Sequence, residues 1–329
     1  MDDIARLAGV SKPTVSRALA DSPLVLPETK KRVFAVAERY GYAVNRNARK
    51  LREKRTNTIA VVIDFPSLPD HRLSDPFHFE LLGNLANALT VRNQDILLYS
   101  PKSDDEARLY QTMLSSKGAD GIIFIGQGGR MPILKELAKT RAPFVVWGAQ
   151  FAGADYCVVG SDNRRGGVLA GRRFAELRRR RVLFLGPLGH PEIELRRAGL
   201  AEGIRDAANS VEIHDLPLTT LSYQSSLDAT RAYLGAAATP PDAVFGASDT
   251  IAMAAIAAFR ERGLQVAEDF SVVGYDDSVQ ALHHVPPLTT IHQDTWLAGA
   301  LLVEKLIQML DEAHPKSAFL PTELIVRST

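Results

Sequence analysis

The chain has 329 residues, 46% hydrophobic and 23% charged, an ordinary globular balance that supports two or three packing units and excludes a disordered or collagen-like chain. A single cysteine, Cys157, excludes a disulfide-framed secreted domain and suits a reducing compartment. The net charge of +1 hides a division, because residues 1–55 carry 13 Lys and Arg against 6 Asp and Glu (+7), and residues 56–329 carry 26 against 32 (−6). A basic head on a mildly acidic body suits a polyanion at one end, although an accidental surface bias gives the same arithmetic. The N-terminus MDDIARLAGV has no basic region followed by an apolar run, and no stretch approaches the roughly 18 apolar residues of a membrane span. A cytoplasmic location with no membrane partner is therefore expected.

In chain order, residues 2–9 read as a short helix. Ile4, Leu7 and Ala8 share a face, Asp2 and Asp3 suit the positive end of the helix dipole, and Gly9 supplies the stop. Ser11 follows as an N-cap with Pro13 in the first turn, so a second helix is expected to about Ala20, with Val15 and Leu19 inward. A third is expected over 28–40, with Val33, Val36 and Ala37 inward and Lys30, Lys31 and Arg32 outward. Ile4, Ala8, Val10, Val15, Leu19, Val33 and Ala37 would form a small core. Helix, tight Gly-containing turn, helix is the helix-turn-helix pattern, whose second helix enters the DNA major groove. Here its first residues are Lys12, Pro13, Thr14, Ser16 and Arg17. Lys12 and Arg17 can donate to guanine or phosphate, and Thr14 and Ser16 can bond phosphate or pack on a thymine methyl. By shape alone, a helical hairpin with a solvated basic face fits as well.

The residues themselves narrow this. Asp3-Ile4-Ala5, Ala8-Gly9-Val10-Ser11 and Thr14-Val15-Ser16-Arg17 resemble, in order and spacing, the headpiece of the LacI/GalR family of bacterial transcriptional regulators. Gly41-Tyr42 and Asn45-Arg46-Asn47-Ala48-Arg49-Lys50-Leu51 resemble that family's hinge. The resemblance implies that Asn45–Arg52 becomes a helix on DNA and that two such helices pair across a dimer axis in the minor groove. It makes Leu51 the wedge that opens the central base step, at a cost of a few kcal/mol of unstacking. Arg49, Lys50, Arg52, Lys54 and Arg55 would then face phosphates, Asn45 belongs to the same set, and Ala48 is small enough for close approach. A disordered basic linker is the alternative. Ala43-Val44 stand where the family usually has proline before the asparagine, which bears on the stiffness of the hinge entry.

From Thr58 apolar runs alternate with amphipathic segments. Strands are expected at 58–63, 95–99, 121–125, 143–147, 181–185, 242–246 and 270–274, and helices near 77–92, 104–117, 131–140, 164–177, 192–208, 223–236, 249–262 and 294–311. Continuous β-branched and aromatic runs imply sheets buried on both faces, and their alternation with helices implies parallel βαβ units. Gly160-Ser161-Asp162-Asn163, Arg196-Arg197-Ala198-Gly199, Ala247-Ser248-Asp249, Val272–Asp277 and Pro287–Asp294 carry the family resemblance through this region. The expected fold is α/β: an all-α helix-turn-helix headpiece (1–44) and hinge helix or linker (45–57), then a periplasmic-binding-protein-like body (58–329). The resemblance implies that this body consists of two doubly wound parallel-sheet subdomains, 58–160 plus 291–318 and 161–290 plus 319–329, joined by three crossovers.

Open α/β sheets bind ligands beyond the carboxyl ends of their strands. The polar and aromatic residues expected there are Asp75, Phe77, Phe79, Gln127, Trp147, Asp162, Ser248, Asp276 and Gln293, and the resemblance adds Arg196, which begins the segment resembling the family's effector-contacting arginine. Carboxylates and a guanidinium suit paired hydroxyls, and Trp and Phe can cover an apolar sugar face, so a mono- or oligosaccharide is favoured over a purine base. Each residue also has a structural reading. Asp162 suits an N-cap, Phe77, Phe79 and Trp147 suit the core, Asp276-Asp277 suits a turn, and Arg196 suits a surface ion pair. Ser248 stands where the family commonly has asparagine, and Thr295-Trp296 where tyrosine or phenylalanine often follows the Gln-Asp pair.

No His-x-x-x-His pair, Cys/His cluster, Gly-x-Ser-x-Gly elbow or Walker-type loop is present, so no metal, cofactor or catalytic residue is expected. The sequence thus reads as a DNA-binding regulator, a repressor type. Its partners would be a pseudo-palindromic double-stranded operator, a small sugar effector and a second copy of itself. A transport solute-binding protein would share the body but not the basic head, and a sugar-modifying enzyme would need an acid–base pair. No extended heptad follows residue 318, which favours a homodimer over a tetramer.

Overall fold

The computed structural model describes residues 1–19, 21–42, 55–63, 75–99, 106–151, 153–206 and 211–329. The chain divides into two compact units, Met1–Thr56 and Asn57–Thr329.

In the first unit, helices α1 (Asp2–Ala8), α2 (Lys12–Leu19) and α3 (Pro27–Arg39) surround a small core. Asp2 and Asp3 occupy the first turn of α1, and Gly9 ends it at φ 61, a left-handed conformation without steric cost for glycine. The Ser11 hydroxyl caps α2 by accepting the Thr14 N–H at 3.3 Å. Ile4, Ala5, Ala8, Val15, Ala18, Val25 and Val33 are buried together. Val10, Leu19 and Val36 lie partly buried at the edge of this core, and Leu7 is exposed. Ala18 and Val25 fill the inner places that the sequence pattern gave to larger side chains.

The second unit holds two six-stranded sheets. The first runs β11 (Ala318–Leu320), β5 (Cys157–Ser161), β4 (Phe144–Trp147), β3 (Gly121–Ile125), β1 (Thr58–Ile63), β2 (Asp95–Tyr99), with every pair parallel. The second runs β12 (Glu323–Ile325), β10 (Thr289–His292), β9 (Ser271–Asp276), β8 (Ala243–Gly246), β6 (Arg181–Gly186), β7 (Glu212–Pro217), with only β10–β12 antiparallel. The helices are α4 (Pro76–Val91), α5 (Glu106–Ser115), α6 (Met131–Lys139), α7 (Asn163–Glu176), α8 (Pro191–Asp206), α9 (Tyr223–Ala236), α10 (Asp249–Glu261), α11 (Val279–His283) and α12 (Thr295–Leu310).

Alternate residues of the central strands serve opposite faces. Ile59, Val61, Ile123, Ile125 and Val145 pack on Phe77, Leu81, Leu85 and Leu89 of α4 and on Leu302, Val303 and Leu306 of α12. Ala60, Val62, Ile122, Phe124 and Val146 pack on Tyr110 and Met113 of α5 and on Leu134 and Leu137 of α6. Both faces are dry, which is why the strands read as unbroken apolar runs. Each such side chain contributes about 1.5–3 kcal/mol relative to exposure.

The chain crosses between sheets after β5, after β10 and after β11. Ile291 and His292 belong to the second sheet and Phe319 and Leu320 to the first, so these crossovers fall one or two residues beyond where the sequence sets them. The pattern also passed over five strands. β7 is an edge strand with mixed exposure (Glu-Ile-His-Asp-Leu-Pro), β10 to β12 have three or four residues each, and β5 lies within the break near 159–161.

Helices α7 and α8 meet backbone to backbone. A Cβ on Gly167 would overlap the Arg196 carbonyl oxygen, and one on Gly199 would overlap that of Arg164; Gly171 and Gly203 are equally confined. These glycines set how closely α8, which carries Arg196, approaches α7, which begins at a crossover. Gly199→Ala is expected to destabilise the body by about 1–3 kcal/mol in urea unfolding, through overpacking, with the headpiece transition unchanged. An unaltered body midpoint would mean that the helices part to admit the methyl group.

Candidate ligand cleft and nucleic-acid interface

A cleft of about 1010 Å³, open mouth included, lies where the carboxyl ends of strands from both sheets converge. Gly126 and Gln127 follow β3, Trp147 ends β4, Pro187 follows β6, Ala247 and Ser248 follow β8, Asp276 ends β9 and Gln293 follows β10. The strand-end position is the usual one for a small ligand in such sheets.

Arg196 is buried in the cleft wall. Its Nε donates to Asn163 Oδ1 at 2.8 Å, Nη1 donates to the Ala247 carbonyl, and the guanidinium lies 3.5 Å from the centroid of the Tyr275 ring. The charge is thus carried on a π face and two oxygens rather than on a partner carboxylate, and it keeps its net positive field. Asn163 opens α7, so the guanidinium is tied directly to a crossover.

Asp276 faces the same cleft and accepts from Gln293 Nε2 at 2.7 Å. Burial pushes its carboxyl well above the ordinary range, the charge of Asp75 pushes it further, and Arg196 pulls it back. Asp75 caps α4 by accepting the Phe77 N–H at 3.0 Å; burial raises it, opposed by His78, that N–H and Arg196. Glu192 is likewise raised by burial and opposed by a backbone N–H, His190, Arg196 and His78. Three carboxyls therefore share one guanidinium and two imidazoles in a poorly hydrated space. Phe77 and Trp147 supply an apolar wall, their ring centroids 5.7 Å apart. Gln127 is fully buried, donates to Tyr156 Oη at 3.1 Å and accepts from the Ala149 N–H at 2.8 Å, which anchors the loop after β4. Ser248 accepts the Ile251 N–H at 3.3 Å as the cap of α10.

Eight of the ten residues expected at the ligand site line this cleft: Asp75, Phe77, Gln127, Trp147, Arg196, Ser248, Asp276 and Gln293. Phe79 does not. It is 54% exposed, because the inward stripe of α4 takes Phe77, Leu81, Leu85 and Leu89, and a residue two places on turns about 200° away. Asp162 does not either; it is exposed and caps α7 by accepting the Arg165 N–H at 2.9 Å, the structural role weighed for it. Sequence reasoning missed His78, Pro187, His190, Glu192 and the segment Thr219–Leu221, all on the cleft wall. The strand-end rule could have found Pro187. Thr219–Leu221 follows β7, which carries no apolar run to betray it.

In the headpiece, Lys12, Pro13 and Arg17 are exposed on α2, and Thr14 and Ser16 are half-buried beside them. Lys12 pairs with Asp2 at 2.9 Å across a solvent-exposed gap, an interaction a phosphate can replace at little cost. Thr14 Oγ1 lies 2.8 Å from Ser11 Oγ. Asn45, Ala48, Arg49, Leu51 and Arg52 lie outside the described residues.

A helix-turn-helix unit joined to a body whose two sheets enclose a ligand-sized cleft defines a DNA-binding regulator with a receptor for a small molecule. The comparisons agree. Residues 1–45 match the model of bacterial regulatory proteins, lacI family, and residues 172–329 match the periplasmic binding protein-like domain. The HTH-type transcriptional regulator CelR of Thermobifida fusca is 31% identical over 335 residues, covering 100% of this chain and 97% of the relative. Among solved structures, a CelR–cellobiose complex is 30% identical with a TM-score of 0.70, over 99% of this chain and 98% of that one. A lac repressor dimer bound to operator and the anti-inducer ONPF is 25% identical with a TM-score of 0.84, over 99% and 97%. The chain belongs to the LacI family. It is a DNA-binding transcriptional regulator, and relatives such as CelR and the HTH-type PurR of Photobacterium profundum are named as a transcriptional regulator and a transcriptional repressor. No helix among the described residues is long and apolar enough to cross a membrane.

Just behind the cleft, Asp249 accepts from the Ser278 N–H at 2.7 Å, Ser278 Oγ at 2.9 Å and the Thr290 hydroxyl, and burial still raises its carboxyl to about 7. A folded value above the unfolded 3.8 means that the native state binds more protons between them. The contribution of Asp249 to stability is therefore greatest at the acid end and is lost as pH rises from 3.8 through about 7. Asp249→Asn is expected to remove this part of the pH dependence, so the difference in unfolding free energy between native and variant should shift across that window. A pH-independent difference would mean that Asp249 stays ionised throughout.

Proposed function

We propose that this chain is a cytoplasmic homodimeric repressor whose operator affinity is set by a neutral mono- or oligosaccharide bound in the cleft. The observation that carries this reading is that Arg196 and the Asp276–Gln293 pair face one cleft between an apolar Phe77–Trp147 wall and the ends of both sheets. A guanidinium and carboxyls can donate to and accept from paired hydroxyls while the aromatics cover a ring face. Three carboxyls to one guanidinium disfavour an anionic ligand such as a sugar phosphate or sugar acid. The solved relatives with bound cellobiose and bound ribose support the same class.

On this reading residues 1–44 are the DNA-reading head, 45–57 the hinge and 58–329 the sensor. Lys12, Pro13, Thr14, Ser16 and Arg17 meet the major groove and the phosphates beside it, and of the hinge residues Asn45, Ala48, Arg49, Leu51 and Arg52, Leu51 wedges into the minor groove while Arg49 and Arg52 face phosphates. Two heads on a dimer match a pseudo-palindromic operator. Because binding is reciprocal, a sugar that weakens operator binding is itself bound less tightly by the DNA-bound form.

Calorimetric titration with a panel of neutral mono- and disaccharides, and with their phosphorylated and acid forms, tests the ligand class. The expected result is binding among the neutral sugars alone; preference for an anionic form overturns the assignment. Arg196→Gln should abolish release of operator by the bound sugar while operator binding is retained. Arg17→Gln should weaken operator binding and, where Arg17 meets a phosphate, lower the slope of log K against log salt by about 1. An unchanged affinity and slope would remove Arg17 from the interface.

A further inference from the structure

The end of β9 holds two consecutive left-handed residues, Asp276 at φ 117 and Asp277 at φ 59. L side chains enter this region at a cost, and such a conformation persists only when its surroundings over-determine it. Asp276 is the cleft carboxylate. Asp277 is not on the cleft wall, yet it is the more heavily bound of the two. Its N–H donates to Thr290 Oγ1 at 3.3 Å, its Oδ2 faces His292 Nδ1 at 2.9 Å, and its Oδ1 accepts from Arg327 Nη2. Arg327 is itself fixed, through Nη1 to the Leu288 carbonyl at 2.8 Å and through its N–H to Thr289 Oγ1 at 3.0 Å.

These contacts form a clamp with two sides. Asp276 stands beside His292 in the β9–β10 ladder, so the neighbouring pairs Asp276–Gln293 and Asp277–His292 fasten the same two strand ends. The first pair faces the ligand and the second, with Arg327, lies outside the cleft. Side chains 17% and 14% exposed place the Asp277–Arg327 pair well away from bulk water, unlike an ordinary surface ion pair. His292 is more open at 40%, and Glu323 is its partner across the β10–β12 ladder. Two of the three crossovers start or end here: β10 leads into α12, which packs on the first sheet, and β12, which precedes Arg327, receives the chain from β11.

Resting on the reading of the cleft as the effector site, we propose that Asp277 is a positioning residue: held by Arg327 and His292, it fixes the left-handed strand end that presents Asp276 and ties it to those two crossovers. A ligand that pulls on Asp276 then pulls on the joint between the sheets.

The experiment compares the full-length native chain with Asp277→Asn, Arg327→Gln, Arg327→Lys and Asp276→Asn. Asparagine tolerates the left-handed conformation, so Asp277→Asn removes the charge without the backbone preference. Hydrogen exchange needs no ligand and is the first readout. Asp277→Asn and Arg327→Gln should exchange at least tenfold faster in peptides spanning the ends of β9 and β10 and in β12, with β6 and β8 unchanged, and Arg327→Lys should recover part of the protection. Unchanged exchange at those ends, or equal acceleration over the whole sheet, overturns the proposal. The second readout is calorimetry with cellobiose and with the sugar the panel identifies. Asp277→Asn should raise Kd at least tenfold with operator affinity in the absence of sugar within twofold, and an unaltered Kd beside a loss of binding in Asp276→Asn overturns the positioning role while the cleft reading stands. Full binding in Asp276→Asn overturns both.

Discussion

The body is organised around one buried charge. A guanidinium taken out of water must find compensation close by, and Arg196 finds it in Asn163, the Ala247 carbonyl and the ring of Tyr275. Those three groups come from the start of α7, the loop after β8 and the strand β9. Holding one side chain therefore fixes these three segments relative to each other. The glycines between α7 and α8 belong to the same requirement, since the side chain reaches Asn163 only from a helix axis brought this close. Because among the described residues no carboxylate is bonded to the guanidinium directly, the nearby carboxyls of Asp75, Asp276 and Glu192 feel its field at a distance and stay under the raising influence of burial.

The fold was legible in the sequence wherever burial was two-sided. Thr58–Ile63 and Gly121–Ile125 announce themselves because both faces are covered and every position is apolar. Glu212–Pro217 does not, because an edge strand with one neighbour has polar residues on its open side. The cleft was legible in proportion. Residues at the ends of recognised strands, such as Trp147 and Asp276, were found, and those after β7 were not. His78 and Glu192 escaped for another reason: each lies in the first turn of a helix, where a polar residue is ordinary, and only the packing of the two sheets turns these toward the cleft.

The two misplaced residues carry the same lesson. Asp162 and Phe79 have suitable chemistry, and each is removed from the cleft by geometry that the chemistry does not encode. Asp162 is drawn to the free N–H of Arg165 by the start of a helix. Phe79 is turned outward by the period of α4. A carboxylate or an aromatic ring is a candidate only after the local structure has made its own claim on it. Gln127 shows both claims at once, since it borders the cleft while both ends of its amide are engaged with the protein.

The repeated strand order of the two sheets places their carboxyl ends, and hence the cleft, beside the crossovers. Asp276 and Gln293 stand at one crossover, and Arg196 reaches a second through Asn163. A ligand in this position has no remote lever to work. On the proposed reading its contacts fall at the joint itself, where differences in hydrogen bonding bear directly on how the two sheets meet. The same geometry explains why the charges of the chain divide as they do. A body with a carboxyl-rich cleft and a net charge of −6 gains nothing from attraction to a polyanion, and that attraction falls to the 13 basic residues among the first 55 of the chain.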